Sequence, residues 1–177
     1  MDFKLGVIGF GNMGSAIVKG AINSGVISQN NISIYDSYKK VEENARAGGF
    51  KVYCEEREVI ENSDAVLIAV KPVHAQAVFE KIGKYLEDKL IISIVAGLEV
   101  KNIRDMIAAN IDDSEDFKLP RILRIMPNTP AIVGEGVFAL DEGSDATIDE
   151  KNKTEEIFKS LGLVEWVNES LFPVITA

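Results

Sequence analysis

With 28 acidic against 19 basic residues in a chain of 177, the formal net charge is −9; this argues against a phosphate-coating nucleic-acid surface, and the length suits one ordinary domain burying roughly 70% of its unfolded surface. Cys54 is the only cysteine, which excludes an intrachain disulfide and a multi-cysteine metal site, suits a reducing cytosol and reads as a buried or incidental thiol. No metal site is expected, no segment reaches the roughly 18 apolar residues that span a bilayer, and no basic leader opens the chain, so it reads as soluble and cytoplasmic without a membrane partner.

The first apolar run, residues 3–8, reads as a strand and feeds into Gly9-Phe10-Gly11-Asn12-Met13-Gly14. Met13, Ile17 and Ala21 then recur at helical spacing. Residues 32–35 form the next strand-like run, closed by Asp36, and a weaker one spans 50–54. Runs at 65–70 and 90–95 follow, continuously apolar and β-branched, as in strands buried on both faces. Val100, Ile103 and Ile107 mark a further helix. The acidic stretch from Asp112 to Asp116 reads as a solvated loop and residues 121–125 as another strand. Thr147-Ile148-Asp149-Glu150 has the form of a capping box for a helix carrying Ile157, Phe158 and Leu161. Gly162 is expected to end that helix, and residues 163–167 to form a last strand in which Trp166 packs rather than stacks a ligand. Strands alternating with helices predict an α/β, Rossmann-type, doubly wound and mainly parallel sheet with helices on both faces.

The glycine spacing has a specific physical use. Gly9 permits a tight strand-to-helix turn, Gly11 lets backbone approach a pyrophosphate, and Gly14 lets helix and strand pack closely. The phosphates would rest on the free N–H groups of the helix N-terminus, with Phe10, Asn12 and Met13 completing the turn. Asp36 lies 22 residues beyond Gly14, near the spacing of about 20 at which a carboxylate meets the adenosine ribose. These features predict binding of NADPH or NADH. Asp36 favours the unphosphorylated ribose, whereas Ser37, Lys39 and Lys40 could reach a 2′-phosphate; both lysines equally suit a solvated helix face.

Right-handed crossovers gather the loops after the strands at one edge of the sheet. Val70-Lys71-Pro72, Ala96-Gly97 and Met126-Pro127-Asn128-Thr129-Pro130 occupy those ends. Pro72 fixes its own backbone and Gly97 permits close approach, so they can shape a nicotinamide slot with Asn128 and Thr129 at its rim. From composition alone the same residues read equally well as turn residues. Lys71 contributes its backbone, its ammonium remaining in water. His74, the only histidine, falls in the first turn of a helix and reads as solvated rather than as a proton donor. Arg124 could position a carboxylate through its planar fork, but reads first as one half of a structural ion pair.

Taken in order, the glycine turn, Ala69-Val70-Lys71-Pro72, Ser93-Ile94-Val95-Ala96-Gly97 and Arg124-Ile125-Met126-Pro127-Asn128-Thr129-Pro130, followed by Gly134-Glu135-Gly136, resemble pyrroline-5-carboxylate reductase. The resemblance covers essentially the whole chain. It implies a dinucleotide-binding domain over residues 1–167, with 168–177 opening a helical domain that pairs two subunits in a homo-oligomer. The substrate is then 1-pyrroline-5-carboxylate, reduced to L-proline by hydride from the nicotinamide, and the resemblance implies NADPH or dual use where the chemistry of Asp36 favours NADH. The resemblance puts the substrate-carboxylate loop beyond Ala177, so no catalytic residue is assigned within the chain and little turnover is expected of it alone. Two alternatives stay open: a noncatalytic dinucleotide-binding module, and a reductase or dehydrogenase of a related imine or hydroxyacid family.

Overall fold

The computed structural model describes residues 3–111, 116–128, 130–131 and 135–175. Within them the chain alternates β1 (Leu5–Ile8), α1 (Asn12–Asn23), β2 (Ile32–Tyr35), α2 (Lys39–Ala47), β3 (Lys51–Val52), α3 (Glu56–Glu61), β4 (Ala65–Ile68), α4 (Pro72–Ile82), β5 (Leu90–Ser93) and α5 (Val100–Ala108). It continues through β6 (Arg121–Pro127), β7 (Gly136–Asp141), α6 (Ile148–Lys159), β8 (Gly162–Val167) and a short α7 (Phe172–Ile175). The strands form one sheet in the order β3-β2-β1-β4-β5-β6-β7-β8. All pairings from β3 to β6 are parallel; β7 runs antiparallel to β6, and β8 parallel to β7. Strand order reverses between β1 and β4. In open α/β sheets, ligands enter the crevice beyond the carboxyl ends of the strands at such a reversal.

The central strands are apolar throughout because both faces are covered. Leu5, Val7, Ala65, Leu67, Leu90 and Ile92 point to the face packed by Ile17, Val18 and Ala21 of α1 and by Ile157 and Phe158 of α6. Ile8, Val66, Ile68 and Ile91 point the other way, onto Val59 and Ile60 of α3, Phe79 and Ile82 of α4, and Ile103 and Ile107 of α5. The period-two alternation of the strand thus sorts its side chains into two cores. Phe138 and Phe158 meet edge to face with centroids 5.0 Å apart, fastening β7 to α6.

Three expectations change. The strand β7 was not anticipated, because its apolar stretch, Val137 to Leu140, is short. Gly162 does not end α6, which closes at Ser160; it opens β8 with φ +150°, where a Cβ would overlap the Gly136 backbone. Of the two readings of Cys54, buried or incidental, the buried one falls: it is exposed, because it follows β3 in a surface bend, with Arg46 Nη2 3.8 Å from its sulfur.

The capping box is present in full: Glu150 N–H donates to Thr147 Oγ1 at 3.2 Å and Thr147 N–H to Glu150 Oε2 at 2.8 Å. Trp166 packs against the first core, with Lys151 Nζ 5.7 Å from its ring centroid. Of the acidic stretch, residues 112–115 lie outside the described residues and Asp116 is exposed. Among the described residues no helix is long and apolar enough to cross a membrane.

Candidate functional site

The site begins where β1 runs out. Gly9 N–H donates to Tyr35 O at 2.9 Å, holding the ends of β1 and β2 together as the chain turns. Gly9 has φ +95°, and a Cβ on it would stand 2.7 Å from the Ala69 carbonyl oxygen, so both conformation and space demand glycine there. Gly14 is buried against the same turn: a Cβ there would overlap the Gly9 carbonyl oxygen and lie 3.1 Å from Ala69 Cβ. Gly11 differs from both, since a Cβ on it would meet nothing within 4 Å. Its missing side chain keeps space open in front of the backbone. Gly11 is also the N-cap of α1, with no side chain capping the helix, so the first N–H groups and the positive end of the helix face that space.

Two chambers meet at this turn. The first, about 380 Å³, is bounded by Gly9, Gly11, Asp36, Ser37, Tyr38, Val41, Glu56, Val70, Lys71, His74 and Val78. The second, about 500 Å³, is bounded by Gly11, Asn12, Met13, Val70, Lys71, Pro72, Ile94, Ala96, Met126 and Pro127. Gly11, Ala69, Val70 and Lys71 belong to both, so the two form one cleft across the strand-order reversal. Ten of the residues singled out from the sequence line it, namely Gly9, Gly11, Asn12, Met13, Asp36, Ser37, Val70, Lys71, Pro72 and Ala96.

Of the remaining candidates, those among the described residues stand apart from the lining. Phe10 turns its ring into the core, edge to face on Phe50 at 5.2 Å, and keeps only its backbone at the turn. Gly14 lies beneath the turn. Lys39 opens α2 on the exposed surface. Gly97, with φ +71°, makes the turn beside Ala96. Asn128 Oδ1 accepts the Val137 N–H at 3.0 Å, so its carboxamide oxygen steadies the β6–β7 connection. Thr129 lies outside the described residues.

Several lining residues were not assigned to the site from the sequence: Tyr35, Tyr38, Val41, Glu56, His74 and Val78 in the first chamber, Ile94, Met126 and Pro127 in the second. Met126 and Pro127 were expected in the loop after a strand ending at residue 125, whereas β6 runs on through Pro127 by pairing with β7; nothing in the spacing marks Glu56. His74 is exposed in the first turn of α4, and its place in the cleft wall comes from the helix start at Pro72. Lys71, the N-cap of α4, is also exposed.

Asp36 is fixed by backbone on both sides. Its Oδ2 accepts the Phe10 N–H at 2.7 Å and its Oδ1 the Tyr38 N–H at 2.8 Å. Deeper in the same chamber the buried Glu56 carboxylate takes the Lys81 ammonium at 2.7 Å, and this hydrogen bond raises the Lys81 pKa. Burial, followed by the Glu56 charge, raises the phenol pKa of Tyr35.

At the far end, Arg124 forms the expected ion pair, with Nη1 2.7 Å from Glu169 Oε1 and its guanidinium 4.8 Å from the Phe172 ring centroid. The arginine is only 4% exposed. Among the described residues, no group of three or more His, Cys, Asp or Glu could hold a metal ion.

The glycine turn, the uncapped helix and the cleft at the strand-order reversal define a Rossmann-type α/β domain. The chain belongs to the family described as NADP oxidoreductase coenzyme F420-dependent, which matches residues 4–97, the part that runs from β1 through β5 to Gly97. Over its whole length it is similar to pyrroline-5-carboxylate reductases: to that of Aquifex aeolicus at 30% identity over 177 residues, covering 100% of this chain and 62% of the relative. The solved pyrroline-5-carboxylate reductase of Coxiella burnetii superposes with a TM-score of 0.85 at 30% identity, covering 99% of this chain and 63% of that one. The pyrroline carboxylate reductase of Plasmodium falciparum, solved with NADP bound, gives 0.80 at 30% identity, covering 98% of this chain and 60% of that one. This chain therefore spans about 60% of the length of the curated relatives it matches.

Proposed function

We propose that the cleft binds NADH or NADPH and that this chain is the cofactor-binding part of a pyrroline-5-carboxylate reductase, serving the last step of proline biosynthesis. The observation that carries the cofactor reading is Gly11: the backbone of an uncapped helix start, with open space where a Cβ would stand, between two chambers of one cleft. A Cβ-free surface backed by free N–H groups suits a pyrophosphate. When bound, the nicotinamide supplies the hydride that reduces the cyclic imine. The residues of this chain bind and orient. The α1 N-terminus takes the phosphates, Asp36 and Ser37 border the adenosine ribose, and Val70, Pro72, Ala96, Met126 and Pro127 form walls that position the nicotinamide and exclude water. The assignment of substrate rests on likeness to the relatives. An acidic surface and a single exposed thiol agree with a soluble, cytoplasmic protein.

The local chemistry favours NADH. Asp36 is held in place by two backbone donors and neither Lys39 nor Lys40 lines the cleft, so the adenosine end presents a fixed carboxylate that disfavours a 2′-phosphate, with Lys71 the lysine that shares the chamber lining.

The test is hydride transfer from NADH to 1-pyrroline-5-carboxylate, followed as loss of reduced-nicotinamide absorbance with L-proline as product. Transfer to this imine at a rate well below that of a full-length pyrroline-5-carboxylate reductase supports the whole reading, and a rate approaching it contradicts the reading of this chain as the cofactor-binding part. Saturable cofactor binding without transfer supports a noncatalytic dinucleotide-binding module, and no binding of either nucleotide overturns both.

A further inference from the structure

We propose that Glu169 is a positioning residue for the nicotinamide end of the cleft, joining the β5–α5 connection to the end of β6, both of which wall the second chamber. The proposal rests on the dinucleotide-binding reading above. One carboxylate oxygen, Glu169 Oε1, accepts two hydrogen bonds: from Arg124 Nη1 at 2.7 Å and from the Val100 N–H at 2.9 Å. Each donor leads into a cleft wall.

Val100 is the first residue of α5, whose N-cap, Glu99, gives the helix no side-chain cap. The carboxylate that fills this role comes from a residue 69 positions away. The short connection from β5 to α5 contains Ala96, which lines the second chamber, and Gly97, whose φ of +71° sets the turn. Fixing the start of α5 fixes that connection at its far end, because Leu98 N–H bonds back to Val95 O at 3.4 Å and closes it at the near end. A carboxylate at a helix N-terminus is also electrostatically well placed.

Arg124 lies on β6, two residues before Met126 and three before Pro127, which form the opposite wall. It is 4% exposed, and its guanidinium rests on the ring of the fully buried Phe172. The pair therefore has little freedom to move. Through Glu169, a displacement of the segment that follows β8 reaches both walls together, while the adenosine end is held separately by Asp36 on Phe10 and Tyr38.

The experiment compares two probes by calorimetry on the full chain: NADH, which occupies both chambers, and ADP, which occupies the first and the phosphate turn. Glu169→Ala is expected to weaken NADH by about tenfold and to leave ADP within about twofold of the parent. It also removes the partner of a buried arginine, so two gentler variants accompany it. Glu169→Gln, which keeps an acceptor oxygen at the same reach, is expected to restore most of the NADH affinity. Glu169→Asp keeps the charge but is one methylene shorter, and is expected to lower NADH and spare ADP. A purely structural role lowers both probes alike or neither; either result in a folded Glu169→Asp protein overturns the proposal. If the parent binds neither NADH nor ADP, it is the dinucleotide reading that fails, and this proposal falls with it.

Discussion

The Asp36 carboxylate accepts the Phe10 N–H at 2.7 Å, tying the end of β2 to the middle of the glycine turn. The same side chain holds the Tyr38 N–H at 2.8 Å, so one aspartate sets both the glycine turn and the loop that borders the first chamber. Charge-assisted bonds to backbone of this kind contribute about 1.5–3 kcal/mol each when desolvated and less when partly exposed. Asp36→Ala is expected to lower stability by about 1–2 kcal/mol in denaturant unfolding. Asp36→Ser, which removes the charge beside the ribose, is expected to shift the ratio of NADPH to NADH affinity toward NADPH by about tenfold. An unchanged ratio would mean that the carboxylate does not face the ribose.

The three glycines of the turn predict different failures. Gly14→Ala drives a Cβ into the Gly9 carbonyl and is expected to destabilise the domain by about 1–3 kcal/mol, as overpacking does. Gly11→Val adds its side chain to open space and is expected to change stability by less than about 1 kcal/mol while abolishing nucleotide binding. Thermal unfolding beside a binding titration separates the two effects.

Thr154 Oγ1 is, among the described residues, the buried side-chain polar atom without a hydrogen-bond partner. Thr154→Val, nearly isosteric, removes that orphan group and is expected to stabilise the protein by about 1 kcal/mol, read as a higher denaturant midpoint at constant m-value. A lower midpoint would show that the hydroxyl is satisfied in solution.

Asp141 predicts a pH dependence. Burial raises its carboxyl pKa above the ordinary aspartate range; the Gly143 N–H acts against this and the Glu169 charge adds to it. The native state then holds more protons than the unfolded state in the window above about pH 3.9, so this group's contribution to stability falls as pH rises through that window. Asp141→Asn, which keeps an oxygen for Gly143, is expected to be more stable than the parent at pH 7, with the gain vanishing below about pH 3.5. Unfolding curves at both pH values check the sign.

The part of the fold carried by local pattern was legible before any coordinates. The runs that became β1, β2, β4, β5 and β6 are apolar because helices cover both faces, and the Thr147–Glu150 box announced α6 through chemistry confined to four residues. The strand β7 was hidden because a four-residue apolar stretch does not declare its period. Of the cleft, the residues tied to backbone geometry were readable, since glycine and proline report a turn directly. Glu56 and Glu169 were not: each acts through a partner brought from another element, Lys81 on α4 for one and Arg124 and Val100 for the other. Asn128 shows the converse, a residue whose loop position suggested a ligand contact and whose oxygen the structure gives to Val137.

The most direct test of the account is a calorimetric titration of the parent chain and of Gly11→Val with NADH and with NADPH. The account predicts saturable binding to the parent, with NADH the tighter by about tenfold, and no measurable binding to a Gly11→Val protein that unfolds at the parent's temperature. Equal affinity of parent and variant would contradict it, since the nucleotide would then be held somewhere other than the glycine turn.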